Sequence, residues 1–431
     1  MKGAQACDRY RSDCRQILAN VPGLKSTRLI FEADVILQFF CIENDSCIQE
    51  AARQIRYIGK FKKKGAKVIV AGCAANIIGD DFLKFKEVDY VISNKPVAKT
   101  LLKEIFGIEE CKNQYSLNDD LPNEFNFEIG EGCFKKCGSC SFCFNCLAKI
   151  PVRSKPIETI LEAVQDVTSK GAYHITLMSL NTTIYGIDFT EHRQVFHELI
   201  QRVSENPNVS LIDIYSLTVH NMYPELLNEL MSNSKIKMIE IGIQTGSDKV
   251  HKIMNTGATT EMVINIFESL KFKSQQLKPL FIIGHPGETE EDFELTLDLI
   301  QKYNLCCATI TPYICVQGTP ASRMEQVADE VKFKRYKRAE ALVKQLNYEY
   351  KNSLVGKVQT GYVSSVVHTE NNHYIYIRHS DSILTFIATL THAEFDRFSS
   401  NKCSCHLVEF TIPANTYMND ELIYVDLKEV D

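Results

Sequence analysis

The spacing of apolar positions changes character along the chain and divides it into stretches. Before residue 111, apolar runs alternate with stretches of helical periodicity. Residues 33–40 (ADVILQFF), 67–72 (KVIVAG) and 89–93 (DYVIS) read as buried strands. Helical spacing fills 46–64 and recurs near 96–106. Strands alternating with helices predict a doubly wound parallel sheet. The polar, turn-rich segment 111–123 (CKNQYSLNDDLPN) reads as a linker. A second alternation then begins, with strands expected at 125–131, 174–179, 209–215, 237–243, 279–283 and 307–313. The helix opening at Pro156 carries Ile157, Ile160, Leu161, Val164 and Val167 at helical spacing. Six βα units predict an open (β/α)6 barrel of parallel strands, with its site at the carboxyl ends of the strands. Beyond about 357 the runs GYVSSVV, HYIYIRH, LTFIATL, CHLVEFTI and ELIYVDL predict a small five-stranded all-β barrel. The expected domains are therefore 1–115, 124–352 and 357–431.

Composition narrows the class. A chain of 431 residues holds two or three domains. No apolar run reaches membrane-spanning length. A net charge of −6 gives no global nucleic-acid signature. The last stretch is more acidic: residues 357–431 hold five Lys/Arg against ten Asp/Glu, a net of −5. The run KFKKKGAK (60–67) reads as a solvated helix end, with cations where the helix dipole favours them. The N-terminus MKGAQACDRY carries no apolar signal region, so sixteen cysteines predict a reducing cytoplasm with metal ligands among them.

The densest chemistry is the run GCFKKCGSCSFCFNC, with Cys133, Cys137, Cys140, Cys143 and Cys146. The spacing Cx3Cx2C of Cys133, Cys137 and Cys140 allows three thiolates to converge on one soft metal centre. Three ligands leave one iron of a four-iron cluster open to a cofactor. Two alternatives compete. A structural zinc site separates its ligand pairs by a dozen or more residues, whereas here two residues separate Cys137/Cys140 from Cys143/Cys146. Disulfides require an oxidising compartment. Cys41 and Cys73 each follow a predicted strand, on the edge where such sheets bind ligands. Cys7, near the head of the chain, is a candidate to join them.

Several segments together resemble the methylthiotransferases of the radical S-adenosylmethionine (SAM) superfamily. HITLMSLNTTIYGID (174–188) resembles that family's strand and loop ending in Asn and Tyr-Gly. IEIGIQTGSDKVHKIMNTGAT (239–259) resembles its Gln-Ser-Gly-Ser-Asp segment through Gln244, Gly246, Ser247 and Asp248. FIIGHPGETEEDF (281–293) resembles its Gly-x-Pro-Gly-Glu-Thr loop, and YICVQGTPASRM (313–324) its Gly-Thr-x-Ala segment. Taken alone, Gly284–Glu288 also suits a helix-entry turn with Thr289 as N-cap, and His251 suits a core position.

The resemblance implies two [4Fe–4S] clusters: a SAM cluster on Cys133, Cys137 and Cys140, and an auxiliary cluster on Cys7, Cys41 and Cys73. Cys14 is the substitute for Cys7. It implies SAM contacts from Asn181, Gln244, Gly284, Pro286, Gly287, Glu288 and Arg153 of the Arg153-Ser154-Lys155-Pro156 stretch, and a TRAM-like terminal barrel that binds substrate. A competing register, keyed to Phe142-Cys143, shifts the SAM cluster toward Cys143 and puts Lys136 at the first ligand position. Thiolate spacing favours Cys133, Cys137 and Cys140, which leaves Cys143 and Cys146 as extra thiols.

The implied activity is reductive SAM cleavage, hydrogen abstraction from an unactivated carbon, and insertion of sulfur and a methyl group. Family members act on a tRNA adenosine or on a ribosomal protein. The acidic terminal barrel favours a polypeptide over tRNA, with an external one-electron reductant as a further partner. Alternatives are a tRNA adenosine methylthiotransferase, a radical SAM peptide-modifying enzyme without sulfur insertion, and a non-enzymatic iron–sulfur redox sensor.

Overall fold

A computed structural model describes residues 25, 27, 29–40, 45–93, 97–108, 124–133, 140–143, 151–189, 193–368, 372–400, 407–414, 416 and 423–428. The chain forms two compact units. One comprises Met1–Ser116, Glu131–Val152 and Ile314–Met324; the other comprises Leu117–Gly130, Arg153–Tyr313 and Glu325–Asp431.

The first unit contains a parallel sheet of β1 (Val35–Phe39), β2 (Lys67–Ala71) and β3 (Tyr90–Val91), paired in that order. These strands are apolar on both faces because helices cover both. On one side Ala51 and Ile55 of α1 (Asp45–Phe61) pack with Phe40, Val70 and Ala74. On the other Val97 and Leu101 pack with Phe39, Ile69 and Ala71. The layering expected for a doubly wound sheet is therefore present. The pairing Phe39↔Ala71 sets the carboxyl ends of β1 and β2 side by side. There Gly72 turns the chain at φ +89°, and α2 (Cys73–Ile78) begins.

The second unit is built on six parallel strands: β4 (Glu124–Glu128), β5 (His174–Met178), β6 (Leu211–Thr218), β7 (Ile236–Gln244), β8 (Leu277–Ile283) and β9 (Thr309–Pro312). Each pairs with its neighbour in sequence, and among the described residues β4 and β9 form the two open edges. Ile175, Leu177, Ile212, Ile214, Ile239, Ile241 and Ile283 are completely shielded from solvent in these strands. The helix predicted after Pro156 is α3 (Ile157–Ser169). Its buried stripe includes Ile160, Ala163, Val164 and Val167; of the expected set, Ile157 and Leu161 lie at the margin, and Ala163 joins the stripe. The helices α4 (Phe196–Glu205), α5 (Pro224–Ser232), α6 (Asp248–Met254), α7 (Thr260–Ser269) and α8 (Glu290–Lys302) fill the remaining crossovers.

A 25-residue helix, α9 (Asp329–Ser353), leads into the terminal sheet. That sheet comprises β10 (Val358–His368), β11 (His373–His379), β12 (Thr385–Leu390), β13 (Leu407–Thr411), β14 (Ile423–Tyr424) and β15 (Asp426–Leu427), with α10 (His392–Ser400) inserted before β13. The final apolar run splits in two. Ile423–Tyr424 pairs with β12 at one edge, and Asp426–Leu427 pairs with β13 at the other. One short segment thus ties both edges together and nearly closes the sheet into a barrel around Ile375, Ile377, Phe386 and Phe410.

The terminal sheet meets the amino ends of the barrel strands. Arg378 on β11 reaches Asp213 of β6 at 3.4 Å, and His174 at the start of β5 lies 3.1 Å from the same carboxylate. Burial opposes charge on Asp213, yet Arg378 and His174 hold it below the usual carboxylate range. Burial likewise opposes charge on His174, and Asp213 overrides it and raises the imidazole above its usual range. Ile383 donates its backbone N–H to Gln275 O (3.2 Å), just ahead of β8.

Candidate active site

The predicted cofactor residues of the second unit gather at the carboxyl ends of the barrel strands. The Gly284–Glu288 loop leaves β8 with Gly284 at φ +79° and Gly287 at φ +89°, values that other residues adopt only with strain. Glu288 folds back under the loop. Its Oε2 accepts from the Gly284 N–H (2.7 Å) and from Arg335 Nη1 (3.0 Å) on α9. Arg335 also donates to Glu288 O and to Glu290. Burial pushes the Glu288 carboxyl up to about 7 despite the Gly284 N–H and the guanidinium beside it. Its Oε1 is buried and has no hydrogen-bond partner among the described residues. A Cβ on Gly284 would stand 2.3 Å from Lys332 Cγ. His285 is fully buried, packs edge-on against Tyr313, and is pushed down to about 4 by burial.

The loop also serves as the helix entry that its sequence suggests. Thr289 caps α8 in a capping box: its hydroxyl accepts from Asp292 N–H, and Asp292 accepts from Thr289 N–H. Asp292 does more than cap. It accepts from Ser247 Oγ (2.7 Å) and pairs with Lys249 (2.6 Å). Burial works against the charge, but these donors bring Asp292 down to about 2. Gly246 donates its N–H to Thr296 (2.9 Å), where any Cβ would collide with Leu295 O. The Gly246-Ser247-Asp248 match therefore has a structural role: it locks the end of β7 to α8. His251 is a core residue, 2.9 Å from Thr256 and pushed down to about 4 by burial.

Gln244 ends β7 at φ +76°, and Ser216, near the end of β6, sits at φ +61°. Two non-glycine residues in the left-handed region on adjacent strand ends mark stored strain of about 1–3 kcal/mol each. Asn181 follows β5; it is buried, and its Oδ1 accepts from Thr218 Oγ1 (3.0 Å) at the end of β6. Arg153 is exposed in a short strand. Its neighbours tie that strand to the Tyr185-Gly186 turn: Gly186 N–H donates to Ser154 Oγ (2.9 Å), and Tyr185 OH donates to Lys155 O (2.6 Å). Asn181, Gln244 and Gly284–Glu288 are thus brought to one edge of one sheet, while Arg153 is fixed through Tyr185.

In the first unit the cysteine loop leaves the carboxyl side of β4 along the chain. Cys133 is exposed, and Cys140 and Cys143 are half-buried. Cys143 N–H donates to Cys140 O (3.2 Å), so these two cysteines share one tight turn. Ala321 N–H donates to Ser141 O (2.9 Å) and pins that turn to the Gly-Thr-x-Ala segment. Cys7, Cys14, Cys41, Cys137 and Cys146 lie outside the described residues. Cys73 opens α2 directly after β2.

Sequence reasoning missed Arg335 and Ser216, and it named Gln244 without the backbone strain at that position. Arg335 lies 47 residues from Glu288, inside the basic run KFKRYKR, and nothing local distinguishes it from its solvated neighbours.

Comparison with known proteins gives the family and the fold. The profile of the radical SAM superfamily matches residues 127–300. The chain is 30% identical to the tRNA-2-methylthio-N(6)-dimethylallyladenosine synthase of Nitratiruptor sp., over 83% of this chain and 87% of that one. It is 28% identical to the ribosomal protein uS12 methylthiotransferase RimO of Carboxydothermus hydrogenoformans, over 79% of this chain and 80% of that one. Among solved structures, the radical SAM methyltransferase TsrM from Kitasatospora setae shares the fold, with a TM-score of 0.50 at 11% identity over 67% of this chain and 65% of that one.

Proposed function

The chain belongs to the radical SAM methylthiotransferases, and from that premise we propose that it puts a methylthio group in place of hydrogen on an unactivated carbon of a polypeptide. The charge of the terminal sheet carries the choice of substrate. Five Lys/Arg face ten Asp/Glu in residues 357–431, and one of the five, Arg378, is turned onto Asp213 with only 17% of its side chain exposed. Glu409 and Asp426 lie exposed on the strands. Such a surface repels phosphate and attracts basic polypeptide. Relatives of both substrate kinds match this chain about equally, so family membership leaves the choice to charge.

The soft donor set suits iron–sulfur clusters. We assign Cys133, Cys137 and Cys140 to the SAM cluster and Cys7, Cys41 and Cys73 to the auxiliary cluster. When bound, these groups and SAM supply one-electron cleavage of SAM, sulfur and a methyl group. The glycines of the Gly284–Glu288 loop let backbone approach a flat ligand closely. The unpartnered buried Oε1 of Glu288 suits an amino group as donor. Asn181 and Gln244 orient the ribose and amino-acid ends, Pro286 and Gly287 shape the loop, and Arg153 contacts SAM from the sheet edge. We retain the division into 1–115 for the auxiliary cluster, 124–352 for SAM chemistry and 357–431 for substrate, and a cytoplasmic setting with an external reductant.

The test uses anaerobically reconstituted full-length protein. About eight irons per chain should fall to about four in a Cys133/Cys137/Cys140→Ala variant, with reductive SAM cleavage lost. Cleavage that survives assigns the cluster to Cys143. Incubation with candidate polypeptides and with unmodified tRNA then separates the substrates by mass. A methylthio gain on tRNA, with binding that weakens steeply in salt, overturns the polypeptide reading.

A further inference from the structure

Cys306 and Cys307 stand at the amino end of β9, on the side of the barrel opposite the site. Their sulfurs lie 3.7 Å apart, and either can donate to the other. Cys306 is buried and Cys307 is partly exposed, so Cys307 is the member that a small reagent can approach. Asn304 bends the chain just ahead of them at φ +49°, and Asn347 on α9 holds Cys306 O at 3.1 Å. The bond between the two thiols lowers Cys306, while that bond and burial push Cys307 up against the opposing pull of Arg378 and Lys351. Cys306 is therefore the thiolate of the pair and the base that can take the Cys307 proton.

We propose that Cys306 and Cys307 form a redox-active dithiol that closes to a vicinal disulfide with a small disulfide oxidant, and that closure loosens the terminal sheet from the barrel. The exchange balances with glutathione disulfide as oxidant. Cys307 passes its proton to the Cys306 thiolate and attacks one sulfur of the oxidant, forming a mixed disulfide and releasing one glutathione. The thiolate of Cys306 attacks the Cys307 sulfur and releases the second. The dithiol loses two electrons and two protons, and the oxidant gains both.

The ring is strained. Adjacent Cα atoms sit about 3.8 Å apart, short of the usual span of about 4.4–6.8 Å for bridged cysteines. Strained, accessible disulfides are the readily reduced ones, so closure is reversible. The link to the terminal sheet is Gln275. Its carbonyl accepts the backbone N–H of Ile383 at 3.2 Å and lies 4.0 Å from Cys307 Sγ. Closing the ring removes the S–H and swings Cys307 away from that carbonyl. Arg378 ties the same junction to Asp213.

The experiment treats full-length, cluster-loaded protein with glutathione disulfide under anaerobic conditions, alkylates the remaining thiols, and reads the tryptic peptide 303–323 by mass. The expected peptide is lighter by two hydrogens, with Cys306 and Cys307 both unalkylated. The loss should persist in Cys315→Ser and vanish in Cys307→Ser. In Cys306→Ser, Cys307 should carry a glutathione instead. Alkylation of both residues in treated wild type overturns the proposal, and so does a hydrogen loss that requires Cys315. Hydrogen exchange at the Ile383 amide should speed up several-fold in the oxidised protein and return on reduction. Unchanged exchange would refute the coupling to the terminal sheet.

Discussion

Glu288 shows how one carboxyl is pulled in two directions. Its side chain is fully buried, which favours the proton, while Arg335, itself only 8% exposed, favours the charge. Burial prevails and places the group at about 7. A folded-state value raised above the unfolded 4.5 means that the native protein binds the extra proton between these limits. Stability therefore falls as pH rises from 4.5 to 7 and then levels. Arg335→Ala removes the guanidinium and moves Glu288 higher still. Its cost should be small at pH 6 and grow past pH 7 toward about 3 kcal/mol, as an unpaired charge is forced into the interior. Urea unfolding at pH 6 and pH 8 measures this, and in a Glu288→Gln background the cost of Arg335→Ala should be the same at both pH values. Gly284→Ala should cost about 1–3 kcal/mol from backbone strain, with a further loss from the Lys332 stem. Adding Lys332→Ala should recover only the second part. The glycines and Glu288 were legible because they sit together in one short motif. Arg335 was not, because the contact that singles it out is tertiary.

At the scale of elements, α8 is held by a single side chain with several partners. Asp292 completes the capping box with Thr289 and accepts from both Ser247 and Lys249. Thr289→Ala removes one cap and should cost about 1 kcal/mol. Asp292→Ala removes the cap partner and leaves Ser247 without its acceptor, so thermal unfolding should report about 2–3 kcal/mol. The barrel strands were readable because parallel strands buried on both faces are continuous apolar runs. All six appear within a few residues of their expected bounds, since each run is closed by turn residues. The terminal sheet was readable as apolar runs but not as a closure. The period of ELIYVDL cannot say that Ile423–Tyr424 and Asp426–Leu427 serve opposite edges. Helix α10 was also missed, because HAEFDRFSS lies between strand-like runs and only partly presents an apolar stripe.

Across the whole molecule, buried histidines set the pH range of stability. His251, His285 and His379 are each pushed by burial from 6.5 to about 4, so each is held neutral in the native state. The unfolded chain takes up these protons below 6.5, and the native chain does so only near 4. Stability must then fall as pH drops through that window. Glu288 works in the opposite sense over much of it, leaving a net difference of about two protons, or about 3 kcal/mol per pH unit where the curve is steepest. His174 bounds the other side. Asp213 raises it above 6.5, so its contribution is complete below that value and is lost as pH climbs through the folded-state pKa. That loss falls on the Arg378–Asp213–His174 contact, where the terminal sheet meets the barrel. Acid should therefore weaken the barrel, through His251 and His285, and the terminal sheet, through His379, whereas alkali should first release the sheet. Urea unfolding between pH 4.5 and 6.5 should show a rise that flattens by about one proton in His251→Gln. Hydrogen exchange followed from pH 7 upward, corrected for the intrinsic rate, should lose protection at residues 374–378 and 383 before the barrel strands. If both regions lose protection together, the His174 contact is not what holds the sheet.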